Sequence, residues 1–297
     1  MTSLSTSIGI QRRLLGTEMR RLREIAGLLQ EDAAEAIGKA ANKISRLESG
    51  QVGVSKADLD VLLKLFKAND KDSLWCRELA KNSQPKRGKP TNETTLYLGP
   101  KWFRAFRDLE DGATEIMEFG SEIVTGLLQT ENYIRAMFTA QGIDPTDKQM
   151  DDTLRIRAER RALLTKDEPP KFSFVLSESA LRRKIGGREV MSEQLGYLAE
   201  VALLPNVTLQ VIPFDAQSYA PMSCDFRVFR FGPHSINDIV YVELHTDAAY
   251  LDKPPELIRR YGALFGQLQG VALGPVESRN FIAGLADQFA AKPTPRG

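Results

Sequence analysis

The sequence is poor in the residues that build metal centres and covalent cross-links, with two cysteines, Cys76 and Cys224, and two histidines, His234 and His245, in 297 residues. The cysteines lie far apart and no CxxC occurs, which excludes a zinc finger or a disulfide framework and fits a reducing compartment. No apolar run approaches the ~18 residues of a membrane span. The start, MTSLSTSIGIQRR, lacks the apolar core of a secretory signal. A cytoplasmic, nucleoid-associated protein with no membrane contact is therefore expected. Catalytic signatures are equally scarce, since HExxH, GxSxG and a phosphate-cradling glycine loop are all missing. Asp225, His234, Asp238, His245 and Asp247 fall near expected strands and are the candidates for acid–base or metal chemistry. They lack paired-ligand spacing, so we assign no catalytic residue, metal ligand or cofactor, and read both histidines as surface or strand-end hydrogen bonders.

What is present is the composition of a folded protein, 42% hydrophobic and 27% charged, in a chain long enough for two ordinary domains. The formal net charge of +1 conceals an asymmetry. Residues 1–90 hold 17 Lys+Arg against 11 Asp+Glu, and the remainder 23 against 28. A cationic front suits a polyanion, and a slightly acidic back argues against a second broad nucleic-acid surface.

Residues 1–10 are polar, Ser/Thr-rich and expected to be mobile, as is the tail 292–297. Helical periodicity runs from Gln11 to Ala26 and through two short helices that end at Gly38 and Gly50. Ser55 with Asp58 starts a fourth helix striped with Leu59, Leu62, Leu63 and Phe66, and a fifth spans Lys71 to Lys81. Residues 11–81 thus form an all-α, five-helix domain. The run NSQPKRGKPTNET, residues 82–94, has linker chemistry.

From 95 to 291 the pattern mixes types, giving an α+β chain overall. Helices are expected near 99–118, 131–140, 146–166, 188–204, 254–273 and 276–290, and strands at Lys171–Ser177, Val207–Phe214, Asp225–Phe231 and Ile239–Leu244. The alternation in Phe226 to Phe231 points to a mainly antiparallel sheet with one solvated face. Trp102, Phe103 and Phe106 read as core or dimer contact. Arg155, Arg157, Arg160 and Arg161 crowd one helical segment, for which intradomain pairing or a solvated face outweighs an acidic partner.

The most informative stretch is Gln30 to Gly50, QEDAAEAIGKAANKISRLESG. It reads as two short helices across a tight turn, the arrangement of a helix-turn-helix DNA reader. On the second helix Ile44 and Leu47 share one side, and Asn42, Ser45, Arg46 and Ser49 the other. Gln30, at a helix N-terminus, is placed to donate to a phosphate. Asn42 suits adenine N6 and N7, Arg46 guanine O6 and N7, Ser45 either base, and Lys43 a phosphate. Gln30, Ala41, Asn42, Lys43, Ser45 and Arg46 form the candidate surface for double-stranded DNA.

Gln30, Ala34, Gly38 and the close Ile44-Ser45-Arg46-Leu47-Glu48-Ser49-Gly50 resemble the lambda-repressor-like, or xenobiotic-response-element, family. Its usual form is a Gln opening the second helix, a mid-helix Ala, a turn Gly and an Ile-Ser-Arg-Ile-Glu-Asn-Gly close. Leu29 and Ala40 depart from the hydroxyl caps usual there, so both helix starts are expected to be loose. The resemblance also implies a structural ion pair between Arg23 and Glu48.

The second domain is similar to the WhiJ-like regulators of streptomycetes and related actinobacteria. The phrases that carry this are Gly126-Leu127-Leu128-Gln129-Thr130 with Tyr133, Ala180-Leu181-Arg182-Arg183 with Gly186-Gly187, Pro205-Asn206-Val207-Thr208 leading to Val211-Ile212-Pro213-Phe214, and Val240-Tyr241-Val242-Glu243. The resemblance implies a DNA-binding transcriptional regulator whose second domain senses a ligand or binds a small protein encoded nearby, or an antitoxin-like protein that autoregulates its operon. A homodimer is expected on physical grounds, because one recognition helix buries too little surface for strong selectivity.

Overall fold

The computed structural model describes residues 8–83, 101–217, 219, 223–232, 237–243, 248–252 and 254–291. The linker expected at 82–94 lies outside them from residue 84 on, as do the tail 292–297, residues 1–7, His234, His245 and Asp247. The chain is α+β and divides into two compact units. One comprises Met1–Glu93 with Phe103–Ala113 and Phe231–Asn237; the other comprises Thr94–Trp102, Thr114–Arg230 and Asp238–Gly297.

The first unit begins with α1, Ile8–Ile25, which reaches three residues further back than the periodicity from Gln11 indicates. Leu14, Leu15, Met19 and Leu22 form its buried stripe. Then come α2, Gln30–Ala36, which buries Ala33 and Ala34, and α3, Ala41–Glu48, which buries Ile44 and Leu47. The turn between them needs Gly38, whose φ of 63° leaves α2 through a Lys39 N–H to Ala34 carbonyl bond of 2.9 Å. Helix α4, Lys56–Leu65, starts on Ser55, whose hydroxyl accepts from the Asp58 N–H at 3.1 Å. Helix α5, Asp70–Asn82, starts on Asn69, which accepts from the Asp72 N–H at 2.9 Å. Leu59, Leu62, Leu63, Phe66, Cys76 and Leu79 complete the buried set. Helix α6, Lys101–Gly112, buries Phe106 and Leu109, and its residues from Phe103 on group with this unit.

The second unit is built on a six-stranded sheet of order β3-β2-β1-β4-β5-β6. Its strands are β1 (Glu115–Gly120), β2 (Lys171–Ser177), β3 (Val207–Ile212), β4 (Phe226–Arg230), β5 (Ile239–Glu243) and β6 (Ala248–Leu251). Strands β1, β2 and β3 are mutually parallel, while β1–β4, β4–β5 and β5–β6 pair antiparallel. The sheet is therefore mixed, and β4 is an interior strand without the solvated face that its alternation indicates. The helix expected over 99–118 is cut at Gly112, and its last part is β1. That strand carries Glu118 into the sheet because Arg227, in register on β4, meets its carboxylate at 2.5 Å. Strand β6 and the short α9, Glu178–Arg182, are also additions to the expected elements.

One face of the sheet, with Met117, Phe119, Val175, Phe226, Val228 and Val240, packs on Ile258, Phe265 and Leu268 of α11, Pro255–Val271. The ring of Phe226 lies edge-on to Tyr261 and Phe265, with centroids 5.1 and 6.5 Å away. At the β3 edge the ladder is closed by the turn into α12, Pro275–Ala290: Leu273 N–H donates to the Val211 carbonyl at 2.8 Å and Val211 N–H to Ser278 Oγ at 2.9 Å. Helix α10, Gly187–Val201, runs antiparallel to α12, with Arg188 donating to the Ala291 carbonyl at 2.6 Å and Ser192 to the Ala286 carbonyl at 3.1 Å. Helices α7, Glu131–Ala140, and α8, Asp147–Arg161, complete the unit. Among the described residues no helix is long and apolar enough to cross a membrane.

Candidate nucleic-acid interface

Helix α3 separates its side chains by face. Asn42, Ser45, Arg46 and Ser49 are exposed, Ala41 and Lys43 half-buried, and Ile44 and Leu47 buried against the unit. The exposed set therefore brings an amide, a hydroxyl and a guanidinium together on one outward surface, the donor and acceptor types that read base edges in a major groove. Lys43 reaches back to the Gly53 carbonyl, with Nζ 3.4 Å away, which holds its ammonium at the margin of that surface.

The end of α3 is tied to the unit by its own acid. Glu48 accepts from Arg23 Nε at 2.6 Å and from Arg23 Nη2 at 3.0 Å, a two-pronged pair whose side chains are 5% and 8% exposed. The bonded carboxylate raises the Arg23 pKa against the lowering effect of burial, so this guanidinium stays charged. Arg23 also donates to the Leu28 carbonyl at 2.7 Å, which clamps the turn between α1 and α2. Gln30 joins the same carboxylate, with Nε2 2.8 Å from Glu48 Oε2. The sequence places Gln30 toward phosphate; in the structure one of its amide donors is committed to positioning α3.

The two unusual caps behave differently. Leu29 has no side-chain acceptor, yet its N–H is bound by the Asp32 carboxylate at 2.7 Å, the reciprocal half of a capping box. The looseness expected at the start of α2 is thereby reduced. Ala40 has no such substitute, and α3 begins without a side-chain cap. Its first N–H groups, which carry partial positive charge, therefore accompany the exposed Asn42.

Two glycines fix the height of α3: Gly50, the last residue of the motif, and Gly16, which motif reasoning passes over. A Cβ on Gly16 of α1 would stand 2.5 Å from the Leu47 carbonyl oxygen and 2.6 Å from that of Glu48. One on Gly50 would stand 2.8 Å from Arg13 Cα, and its φ is 74°. For Gly16 the available signal is a lone glycine inside a helical pattern, which marks close packing.

In the second unit Arg155, Arg161, Asp225 and Asp238 each have partners, while His234, His245 and Asp247 lie outside the described residues. Arg155 pairs with Asp152 and Glu159 at 3.2 and 2.9 Å, and Arg161 donates to the Gln129 carbonyl at 2.7 Å while lying over the Tyr197 ring. Asp225 accepts from Ser121 N and Oγ at 2.9 and 2.5 Å. Asp238 approaches Arg230 at 3.9 Å. Among the described residues no three His, Cys, Asp or Glu side chains are grouped as metal ligands.

Comparison with protein families gives two matches. Residues 14–74, from within α1 to the first turn of α5, match a helix-turn-helix domain. Residues 103–284, more than half of the chain, match a domain of unknown function (DUF5753). The chain belongs to the DUF5753 family. The helix-turn-helix match suggests a DNA-binding regulator, and the DUF5753 region contains the whole sheet and most of its helices. No curated protein and no solved structure matches the chain.

Proposed function

We propose that this DUF5753 protein is a sequence-specific transcriptional regulator that reads a palindromic operator as a dimer through α3, and that its second unit receives a small ligand or a small partner protein. The observation that carries the reading is the outward polar face of Asn42, Ser45 and Arg46 on a helix whose opposite side is pinned by Ile44, Leu47 and the Glu48–Arg23 pair. A rigidly held helix with free polar tips suits base readout; a merely packed helix has no use for the rigidity on its solvent side. Dimerisation follows from the small area that one helix covers, with two copies reading half-sites about 34 Å apart. No catalytic step belongs to this reading.

Selection from a random-sequence duplex pool tests it. Wild type is expected to enrich a symmetric site, and Asn42→Ala/Arg46→Ala is expected to enrich none while keeping salt-sensitive, sequence-blind binding. Enrichment of the same site by the double variant removes α3 from the role.

A further inference from the structure

We infer that Gly16, a buried residue of α1, is a specificity-determining position that sets the tilt of the recognition helix; the inference rests on the proposed DNA-reading function. The backbone of α1 at Gly16 lies directly against the last two carbonyls of α3, Leu47 and Glu48, with no side chain between them. A methyl group there meets two backbone oxygens and the Glu48 carbonyl carbon, at 2.5, 2.6 and 2.8 Å, all shorter than real Cβ contacts. None of these atoms belongs to a flexible side chain that can swing aside.

The last turn of α3 is also held from two other directions, by Arg23 and Gln30 on the Glu48 carboxylate. Its first turn is fixed separately by the tight turn at Gly38 and the Lys39 N–H bond to Ala34. A group inserted at Gly16 therefore lifts the C-terminal end of α3 by the better part of an ångström while the N-terminal end stays in place. Base-reading side chains tolerate displacements of about 0.5 Å. Arg46, one residue before Leu47, moves with the lifted end, and Asn42, near the pivot, moves less. Gly16 touches no base in this account. It is a positioning residue, and its effect is graded along α3.

The test uses the full chain, the best duplex from the selection and its single-base variants, titrated by fluorescence anisotropy. Arg46→Ala and Asn42→Ala first identify which base pairs each side chain reads. For Gly16→Ala the expected result is a roughly tenfold loss of discrimination at the Arg46 base pairs and a smaller loss at those of Asn42. Binding to a shuffled duplex should stay within about twofold of wild type, because phosphate contacts tolerate the tilt. Thr17→Ala, at an exposed neighbour on the same helix, should match wild type throughout.

Wild-type discrimination retained by folded Gly16→Ala overturns the inference, as does an equal loss at both sets of base pairs. If circular dichroism finds Gly16→Ala unfolded, Gly50→Asn carries the same test, since asparagine accepts the left-handed backbone and its Cβ presses on Arg13. It should give the same graded loss, and an ungraded one overturns the inference. A wild type with no base preference removes the proposed function and this inference together; a preference kept by Gly16→Ala removes only the inference.

Discussion

At the scale of single residues, the first unit depends on a charge placed where water hardly reaches. Glu48 is bonded to both Arg23 and Gln30, so replacing it with alanine leaves a guanidinium 8% exposed and without its carboxylate. Breaking one side of such a pair costs about 3 kcal/mol or more, whereas apolar replacement of both sides is often close to neutral. Glu48→Ala should lower stability by about that amount in denaturant unfolding, and Arg23→Met/Glu48→Leu should recover most of it. Unchanged melting of Glu48→Ala would show that the pair contributes nothing. Cys76 gives a second expectation at this scale. Burial pushes its thiol pKa up to about 12, so the folded state holds the proton where an unfolded thiol, near ~8.5, releases it. Stability from this source is complete below about pH 8.5 and declines as pH rises toward 12. In thiol titration at pH 8, Cys76 should stay unmodified until the unit unfolds; prompt labelling of Cys76 in the folded protein would contradict its burial.

At the scale of elements, legibility followed how local each cause is. The helices that end on glycine or start on Ser55 were visible because caps and stripes lie within a few residues of one another. Strand β1 was not, because Glu115 and Glu118 make EIMEFG look like the end of the preceding helix. The Arg227 that lets Glu118 enter the sheet is more than a hundred positions away in the chain, and the parallel pairing of β1, β2 and β3 depends on crossovers that no single segment declares. Strand β6 and α9, of four and five residues, are too short to show a period. The exposed polar face of α3 was legible as a set of side chains, but the contacts that hold the helix, Gly16 on Leu47 and Gln30 on Glu48, are tertiary. One helix end also carries a correctable strain. Lys67 closes α4 with φ of 53°, a conformation that costs a side chain roughly 1 kcal/mol and glycine nothing. Its N–H bonds the Lys64 carbonyl and the next one bonds that of Leu63, so the turn itself is well made. Lys67→Gly should raise stability by roughly 1 kcal/mol, less the entropy that glycine adds to the unfolded chain. A lower midpoint would mean that the lysine side chain contributes more than its backbone costs.

At the scale of the whole molecule, the chain joins a helix-turn-helix unit of short helices to a larger α+β unit whose polar side chains serve its own fold. Gln129 donates to the Val124 carbonyl at 2.7 Å, Asn206 bridges the Leu164 and Pro170 carbonyls at 3.2 Å, and Phe214 N–H is held by Glu178 at 2.7 Å. These contacts hold loops and strand ends of the unit in place without defining what it binds. Sedimentation with a selected duplex should find two chains per duplex, and a single chain would remove the dimeric part of the proposal. The most direct test of the central claim is genome-wide DNA capture with wild type and Asn42→Ala/Arg46→Ala in parallel, scoring enriched sites for two-fold symmetry. Discrete palindromic sites are expected for wild type, and their loss in the variant. Equal, featureless enrichment by both would contradict it, reducing any DNA binding to phosphate attraction and leaving the second unit as the seat of function.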